Sequence, residues 1–169
     1  TMGVEHICAV DGNEKRLEVA KRMGADTSVN FMNFKGIEAR TEDVKEAQGV
    51  LIVDIGAETT EISVLSLGGI VISRLIQTGG RSIDDAIQSA IRKEHNFFIG
   101  SKTAESIKKE LAYAINPEEA TMKICGRNMV VGLPQMLEIS ASFVYDAIKE
   151  QLGVIVDAVK TILERTPPE

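Results

Sequence analysis

Apolar and polar residues alternate along this chain with two different periods, and these periods predict where strands and helices lie. Two β-rich apolar runs, 50–55 and 61–67, flank a turn of small residues, and a third run, 70–77, follows the pair Gly68-Gly69. A glycine pair between two such runs is a strong hairpin signal, because glycine adopts positive φ without steric penalty. The pattern therefore predicts three successive antiparallel strands between residues 50 and 77.

Other apolar positions recur every three or four residues, which is typical of amphipathic helices. The first such helix follows Thr78-Gly-Gly80, and further helices are predicted from Ser101 to about Ala114 and from Ser140 or Ser142 to Thr166. Short strands are predicted at 121–125, 129–131 and 135–139. The apolar face of the first helix consists of Ile83, Ile87, Ala90 and Ile91.

The first 48 residues predict a separate small unit. Residues 6–11 are typical of a short strand that ends in the carboxylate Asp11, and residues 14–23 predict a helix with Leu17 on its apolar side, closed by Gly24. Residues 25–46 are predicted to connect this unit to the rest of the chain. Two placements stay open for the strand at 5–11: along the edge of the three-stranded sheet, or in a segment that folds independently of it.

The amino-acid sequence of residues 10–17 and 20–26 resembles the second βα unit of medium-chain NAD-dependent dehydrogenases. In that family the acid matched by Asp11 holds the adenosine ribose. The glycine fingerprint that precedes such a strand is absent, so Asp11 is interpreted as a residue of the strand-to-helix turn. Two explanations stay open: an engineered or fused chain that carries a dehydrogenase coenzyme unit, and a natural divergent segment.

Composition restricts the class of protein. The chain has 169 residues, 44% of them hydrophobic, and a formal net charge of -6, which argues against a nucleic-acid surface. No apolar run approaches the roughly 20 residues of a membrane span, and no signal peptide is visible. Cys8 and Cys125 lie far apart and are predicted to be buried free thiols in a reducing compartment. These features predict a cytoplasmic protein.

Two glycine-containing turns are candidates for anion binding. Asp54 opens the turn after the first strand of the predicted sheet, and the amides after Gly56 converge there with the hydroxyls of Thr59 and Thr60. At Gly79-Gly80, amides and the positive end of a helix dipole are placed to face a phosphate or a ribose. The alternatives, an ordinary hairpin turn and a flexible helix entry, explain the same residues.

Six short motifs follow one another along residues 49–169. They are Asp54-Ile-Gly-Ala-Glu-Thr-Thr-Glu61, Ser66-Leu-Gly-Gly-Ile-Val71, Thr78-Gly-Gly80, Ile99-Gly-Ser-Lys-Thr-Ala-Glu-Ser-Ile-Lys108, Gly126-Arg-Asn-Met-Val-Val-Gly-Leu-Pro134 and Leu163-Glu-Arg-Thr-Pro-Pro-Glu169. In these motifs and their order, the segment resembles the ATP-binding half of the actin, Hsp70 and hexokinase superfamily, and within it the MreB family of bacterial actins. The resemblance implies an α/β fold: an actin-like, ribonuclease H-like second domain at 49–169 with an inserted small α+β subdomain at about 100–140. A Rossmann-like βα unit and its connector, 1–48, would precede it.

The same resemblance implies a site for ATP with Mg²⁺. The turn from Asp54 to Thr60 would be the second phosphate loop, with Asp54 reaching the metal through water. Gly79 and Gly80 would contact ribose and phosphate, and Glu105 and Lys108, on one face of a helix, would contact adenosine. The implied partners are other copies of the chain in filaments and other cell-shape proteins at the membrane. The residues implied in binding are Asp54, Gly56, Ala57, Thr59, Thr60, Gly79, Gly80, Glu105 and Lys108.

The turn departs from the family pattern at Ala57 and Glu58, which replace the second and third of three glycines. A Cβ restricts left-handed conformations, and the Glu58 carboxylate repels an anion by about 1 kcal/mol at 4 Å in water. The first phosphate loop, the adenine loop and the Ile-Glu-Glu-Pro strand end of the family do not occur in the sequence. These 169 residues are therefore predicted to bind ATP weakly or not at all, and to lack ATPase activity by themselves.

Overall fold

The structure of the chain is a computed structural model that describes residues 8–11, 13–30, 49–66 and 69–166. The chain divides into two compact units, one made of Thr1–Gln77 with Ile155–Glu169 and the other of Thr78–Val154. The boundary predicted at 48/49 lies inside the first unit, and the small subdomain predicted at about 100–140 lies within the second.

The first unit begins with a βαβ arrangement. Strand β1 (Cys8–Asp11) pairs in parallel with strand β2 (Thr27–Asn30), and helix α1 (Glu14–Arg22) lies between them in sequence and packs against both. The side chain of Asn13 caps α1 by accepting from the amide of Lys15 at 3.0 Å. After the helix, Gly24 has a φ of 102°, which reverses the chain.

Two predictions for this segment are wrong. Residues 25–46 were predicted to be a connector, but the β-branched residues Thr27 and Val29 lie in a strand. The predicted position of residues 5–11 at the edge of the three-stranded sheet is also not observed, because the described partner of β1 is β2. The rest of the predicted connector, 31–46, lies outside the described residues.

The β1-α1-β2 arrangement leads to a first prediction. Leu17 is 3% exposed, so Leu17→Ala should reduce the stability of this segment by about 2 to 4 kcal/mol, the range for emptying a packed site. Hydrogen exchange of the α1 amides measures the loss even if the segment opens separately from the rest. Glu18→Ala on the exposed side is the matched control, with an expected change within about 0.5 kcal/mol. Equal effects of the two substitutions would show that α1 is not packed on its strands.

The predicted three-stranded sheet is confirmed. Strands β3 (Gly49–Ile55), β4 (Thr60–Ser66) and β5 (Gly69–Ile76) are antiparallel, in the order β3-β4-β5. Gly69 pairs with Ser66, so this glycine belongs to β5 rather than to the turn, while residues 67 and 68 lie outside the described residues.

The second unit combines helices with a small antiparallel sheet. Helix α2 (Gly80–His95), strand β6 (Phe97–Phe98) and helix α3 (Ser101–Leu111) precede the hairpin of strands β7 (Thr121–Asn128) and β8 (Pro134–Ser140). The sheet order is β6-β7-β8. The long helix α4 (Ala141–Arg165) begins in this unit and ends in the first. None of the described helices is both long enough and apolar enough to cross a bilayer.

Most predicted helix positions in the second unit are confirmed. Ile83, Ile87 and Ile91 are buried along α2, as the spacing predicted. The amide of Phe143 donates to the hydroxyl of Ser140 at 3.2 Å, which agrees with the predicted start of α4 near this serine. Ser101, in contrast, is the first helical residue of α3 rather than its cap, which is Gly100.

The strand predicted at 129–131 is wrong, because β7 continues through Gly126 to Asn128 and a turn follows. The Asn128 side-chain carbonyl accepts from the amides of Val130 and Val131 at 2.9 and 3.1 Å, which holds the turn. Cys125 in β7 is free and exposed, not buried as predicted, because alternation along the strand buries its neighbour Ile124 instead.

The core of the first unit lies between the three-stranded sheet and the end of α4. Ile62 and Val64 alternate onto one face of β4 and pack against apolar residues of the helix. The helical side of this core consists of Ala158, Val159 and Ile162, and the partly buried residues around it are Leu51, Ile72, Ile76 and Leu163. This packing fixes the hairpin that carries the Asp54 turn.

Candidate functional site

The turn at 56–59 joins β3 to β4 and is closed by its own backbone. Ile55 pairs with Thr60, and the amide of Gly56 donates to the carbonyl oxygen of Thr59 at 2.8 Å. A Cβ on Gly56 would lie 3.1 Å from that same oxygen, so the absence of a side chain suits this close approach. The Gly56 amide is therefore used inside the turn, and any anion has to be bound by the amides that follow it.

The conformation of the turn changes the interpretation of Ala57 and Glu58. Neither residue has a positive φ, so the steric penalty expected from their Cβ atoms does not arise in this conformation. Among the described residues, the amides of Ala57 and Thr59 have no hydrogen-bond partner. The charge of Glu58 remains as the feature that opposes an anion here.

A second carboxylate lies opposite Asp54. The sheet register pairs Asp54 with Glu61, which places both side chains on the same face of the sheet. Glu61 accepts from the Ser73 hydroxyl at 3.1 Å, and Ser73 accepts in turn from Ser63 at 3.0 Å. Like charges in direct cross-strand pairs repel, so a cation near Asp54 would relieve this pair. Within the described ranges, no cluster of three or more His, Cys, Asp or Glu side chains could enclose a metal ion.

In the second unit, Gly79 and Gly80 form the start of α2. Gly79 is buried and caps the helix in an extended conformation, and its amide donates to the Ser82 hydroxyl at 3.4 Å. Its carbonyl accepts the first helical hydrogen bond, from Ile83, also at 3.4 Å. The structure thus places these glycines at the positive end of the α2 dipole, as predicted.

Lys108 connects helix α3 to the start of α2. Its ammonium donates to the carbonyl oxygen of Gly80 at 2.8 Å and forms an ion pair with Asp84 at 2.9 Å between Nζ and Oδ1. Oδ1 of Asp84 is buried and has no hydrogen-bond partner among the described residues, so the second contact is an ion pair rather than a hydrogen bond. The side chains of Lys108 and Asp84 are only 19% and 14% exposed.

The structure therefore joins two residues of the predicted adenosine side, Gly80 and Lys108, and adds Asp84, which sequence reasoning missed. Asp84 follows Gly80 by one helical turn, but nothing in the sequence indicates which lysine it faces. Glu105, predicted to act with Lys108, is exposed and pairs with Lys109 at 2.5 Å. Asp54, Gly56, Ala57, Thr59 and Thr60 belong to the first unit, whereas Gly79, Gly80, Glu105 and Lys108 belong to the second.

A hairpin sheet packed on a long helix, with a turn of this kind, is the arrangement of an actin-like protein, and comparison with solved structures agrees. MreB5 of Spiroplasma citri bound to ADP superimposes with a TM-score of 0.71 at 37% identity, over 89% of this chain and 46% of that one. The MamK double helical filament matches in fold, with a TM-score of 0.60 at 24% identity, over 98% of this chain and 53% of that one.

The MreB/Mbl protein family matches residues 10–169, and the chain belongs to this family. The cell shape-determining protein Mbl of Bacillus subtilis (strain 168) is 40% identical over 128 residues, which are 75% of this chain and 38% of that protein. The cell shape-determining protein MreB of Escherichia coli (strain K12) is 39% identical over 127 residues, 75% of this chain and 37% of that protein. The match to these curated relatives thus spans less than two fifths of their length.

The alternative of a fused dehydrogenase unit receives no support. The MreB/Mbl match begins at residue 10 and so includes α1 and β2, the segment for which the dehydrogenase resemblance was suspected. The relatives and structures described above are all MreB, Mbl or MamK proteins. The coarser prediction, an α/β actin-like fold, is confirmed.

Proposed function

We propose that this chain supplies the second-domain half of an ATP site in an MreB-type protein that forms filaments and determines cell shape. The observation that carries the proposal is the turn after Asp54, in which the amides of Ala57 and Thr59 have no partner among the described residues. MreB5 of Spiroplasma citri, 37% identical, is known in complexes with ADP and with AMPPNP, which supports a nucleotide as the ligand.

On the phosphate side, the amides of Ala57 and Thr59 would bind phosphate oxygens, since backbone N–H groups in a turn form an anion-binding concavity. Asp54 would hold Mg²⁺ through water, with the Glu61 carboxylate adding negative charge on the same sheet face. When bound, Mg²⁺ supplies charge neutralisation of the phosphates. The fully buried Thr60 would fix the end of the turn.

On the adenosine side, Gly79 and Gly80 would contact ribose and phosphate, and Glu105 and Lys108 would contact the nucleoside. The exposed position of Glu105 leaves it accessible for such a contact. In this proposal, α3 and the sheet of β6, β7 and β8 correspond to the small inserted α+β subdomain at about 100–140. Strand β1, helix α1 and strand β2, within residues 8–30, would form a small βαβ unit that precedes the second domain.

The proposed partners are further copies of the MreB-type protein in a filament and other cell-shape proteins at the membrane, in the cytoplasm. The names of the relatives support this, since two are cell shape-determining proteins. The MamK filament adds only a likeness of fold.

The affinity of the chain for ATP provides the test. Of the two outcomes expected from the sequence, weak binding and no binding, the proposed half-site requires weak binding. Calorimetry with Mg-ATP should therefore give a dissociation constant weaker than about 10 µM, equivalent to about -7 kcal/mol, because only half of the family's site is in this sequence and Glu58 repels phosphate. The double substitution Ala57→Gly and Glu58→Gly should strengthen binding. Glu58→Gln is the control that removes only the charge. This single substitution should produce most of the increase in ATP affinity seen in the double variant, since Ala57 is not strained.

Two results would contradict this account. Weaker binding after the double substitution would show that the turn is not the phosphate loop. A dissociation constant tighter than about 10 µM in the unmodified chain would show that this half-site is stronger than proposed.

A further inference from the structure

We propose that Asp84 is a positioning residue that holds Lys108 against the carbonyl of Gly80, so that the start of α2 and the nucleoside-facing side of α3 act as one rigid element. The proposal rests on the proposed function, because it assigns a purpose to groups expected on the adenosine side of the site. It goes beyond the expected contacts, none of which includes Asp84.

The contacts of Lys108 leave part of its donor capacity unused. A lysine ammonium has three N–H donors. One donates to the carbonyl of Gly80 at 2.8 Å, and the charge of the ammonium faces the Asp84 carboxylate in an ion pair, with Nζ 2.9 Å from Oδ1. Among the described residues, the donor that points to neither group has no partner. It is therefore available to an acceptor atom of a bound nucleoside.

Neighbouring lysines of α3 show why Asp84 matters. Lys109 pairs with Glu105 on the surface, where the side chains are 58% and 48% exposed and water competes with the ion pair. The Lys108–Asp84 pair is largely withdrawn from water, with 19% and 14% exposure, so its electrostatic attraction is screened much less. Lysine carries its charge on a flexible four-carbon stem, and a fixed counter-charge is what restricts that stem to one position.

Fixing Lys108 also fixes the backbone that it contacts. The carbonyl of Gly80 belongs to the first turn of α2. The amides of this turn carry the positive end of the helix dipole, so their orientation depends on how the turn is held. Glycine permits many backbone conformations, so a hydrogen bond from Lys108 to this carbonyl adds a restraint at the end of the helix, where glycine is least restricted by its own side chain. Asp84, one turn further along the same helix, completes a closed link between α2 and α3.

The test uses the 169-residue chain and NMR detection of the lysine ammonium groups. In the unmodified chain, Lys108 should give a resolved, slowly exchanging ammonium signal, assigned by its loss in Lys108→Met. Asp84→Asn should abolish that signal and speed hydrogen exchange of the Ile83 amide. Asp84→Glu should retain the signal at least partly. The matched control is Asp85→Asn, the exposed neighbouring acid, which should change neither measurement.

Titration with Mg-ATP then connects the link to the ligand. Asp84→Asn should weaken ATP binding about tenfold, the effect of losing one charge-assisted contact, whereas Asp85→Asn should leave it unchanged.

An unmodified chain without any response to ATP would refute the proposed function, while the ammonium signal would still decide the role of Asp84. A Lys108 signal unaltered in Asp84→Asn would overturn the inference, as would equal loss in Asp85→Asn. If Asp84→Asn fails to fold, comparison of Asp84→Glu with the unmodified chain decides: a weakened or shifted Lys108 signal supports the link, and a signal identical to that of the unmodified chain contradicts it.

Discussion

Gly126→Ala is expected to lower the free energy of unfolding of the second unit by about 3 kcal/mol. Gly126 lies within β7, next to the residues that pair with the adjacent antiparallel strand β6. An added Cβ would lie 2.4 Å from Cε1 of Phe97 and 2.5 Å from the carbonyl oxygen of Phe98. Because Phe97 is buried and the second atom is backbone, neither can move aside without disturbing the sheet.

Urea unfolding followed by circular dichroism measures this loss, and Gly153→Ala provides the matched control. Gly153 lies in the middle of α4 with nothing within 4 Å of an added Cβ, so alanine there should stabilise the helix by about 1 kcal/mol. The same chemical change should therefore have opposite signs at the two sites. A loss below about 1 kcal/mol at Gly126 would show that β6 does not pack against β7 as described.

Ile62→Ala is expected to destabilise the first unit by about 4 kcal/mol, within the range for emptying a fully buried core site. Ile62 is 0% exposed and lies in the cluster that β4 forms with Val159 and Ile162 of α4. Close packing leaves no neighbour free to fill the space, so the substitution creates a cavity. Loss of this packing would also loosen the hairpin that carries the turn after Asp54.

Ile70→Ala on the adjacent strand separates this effect from a general loss of strand propensity. Ile70 is 68% exposed, so the identical substitution removes almost no buried contact and should change stability by about 0.5 kcal/mol or less. Denaturant midpoints of the two variants give the comparison directly. Similar losses at both positions would contradict the assignment of the α4-facing side of the sheet as the core.

The sheet of β3, β4 and β5 was predictable because it consists of three short β-rich apolar runs, of which 61–67 alternates with a period of two, and because glycines separate the last two strands. The position of Gly126 was not predictable in the same way. In the sequence this glycine indicates a turn, but in the structure it is a strand residue that allows the Phe97 ring to approach. Whether Gly126 is a turn residue or a strand residue depends on its contact with Phe97, which is distant in the sequence, and a local sequence pattern contains no information about such a contact.

The candidate site shows the same limit. The turn from Asp54 to Thr60 is carried by one continuous motif, so the sequence indicated it. The ion pair of Asp84 and Lys108 joins two helices, and the sequence offers several acids and lysines with equivalent spacing. The sequence also did not predict that Ala57 and Glu58 lack positive φ, because the expectation of left-handed residues came from the glycines of related proteins.

An NMR titration of the ¹⁵N-labelled chain with Mg-ATP tests the central claim most directly, because it shows where a weakly bound nucleotide lies. The account predicts shifts that grow with ATP concentration at the amides of Ala57, Thr59 and Gly80. An open cleft of about 490 Å³ elsewhere in the second unit carries two cations, Arg92 and Lys93, and offers a non-specific alternative for phosphate. Shifts confined to that cleft, or no shifts at millimolar ATP, would contradict the assignment of this chain as the second-domain half of a nucleotide site.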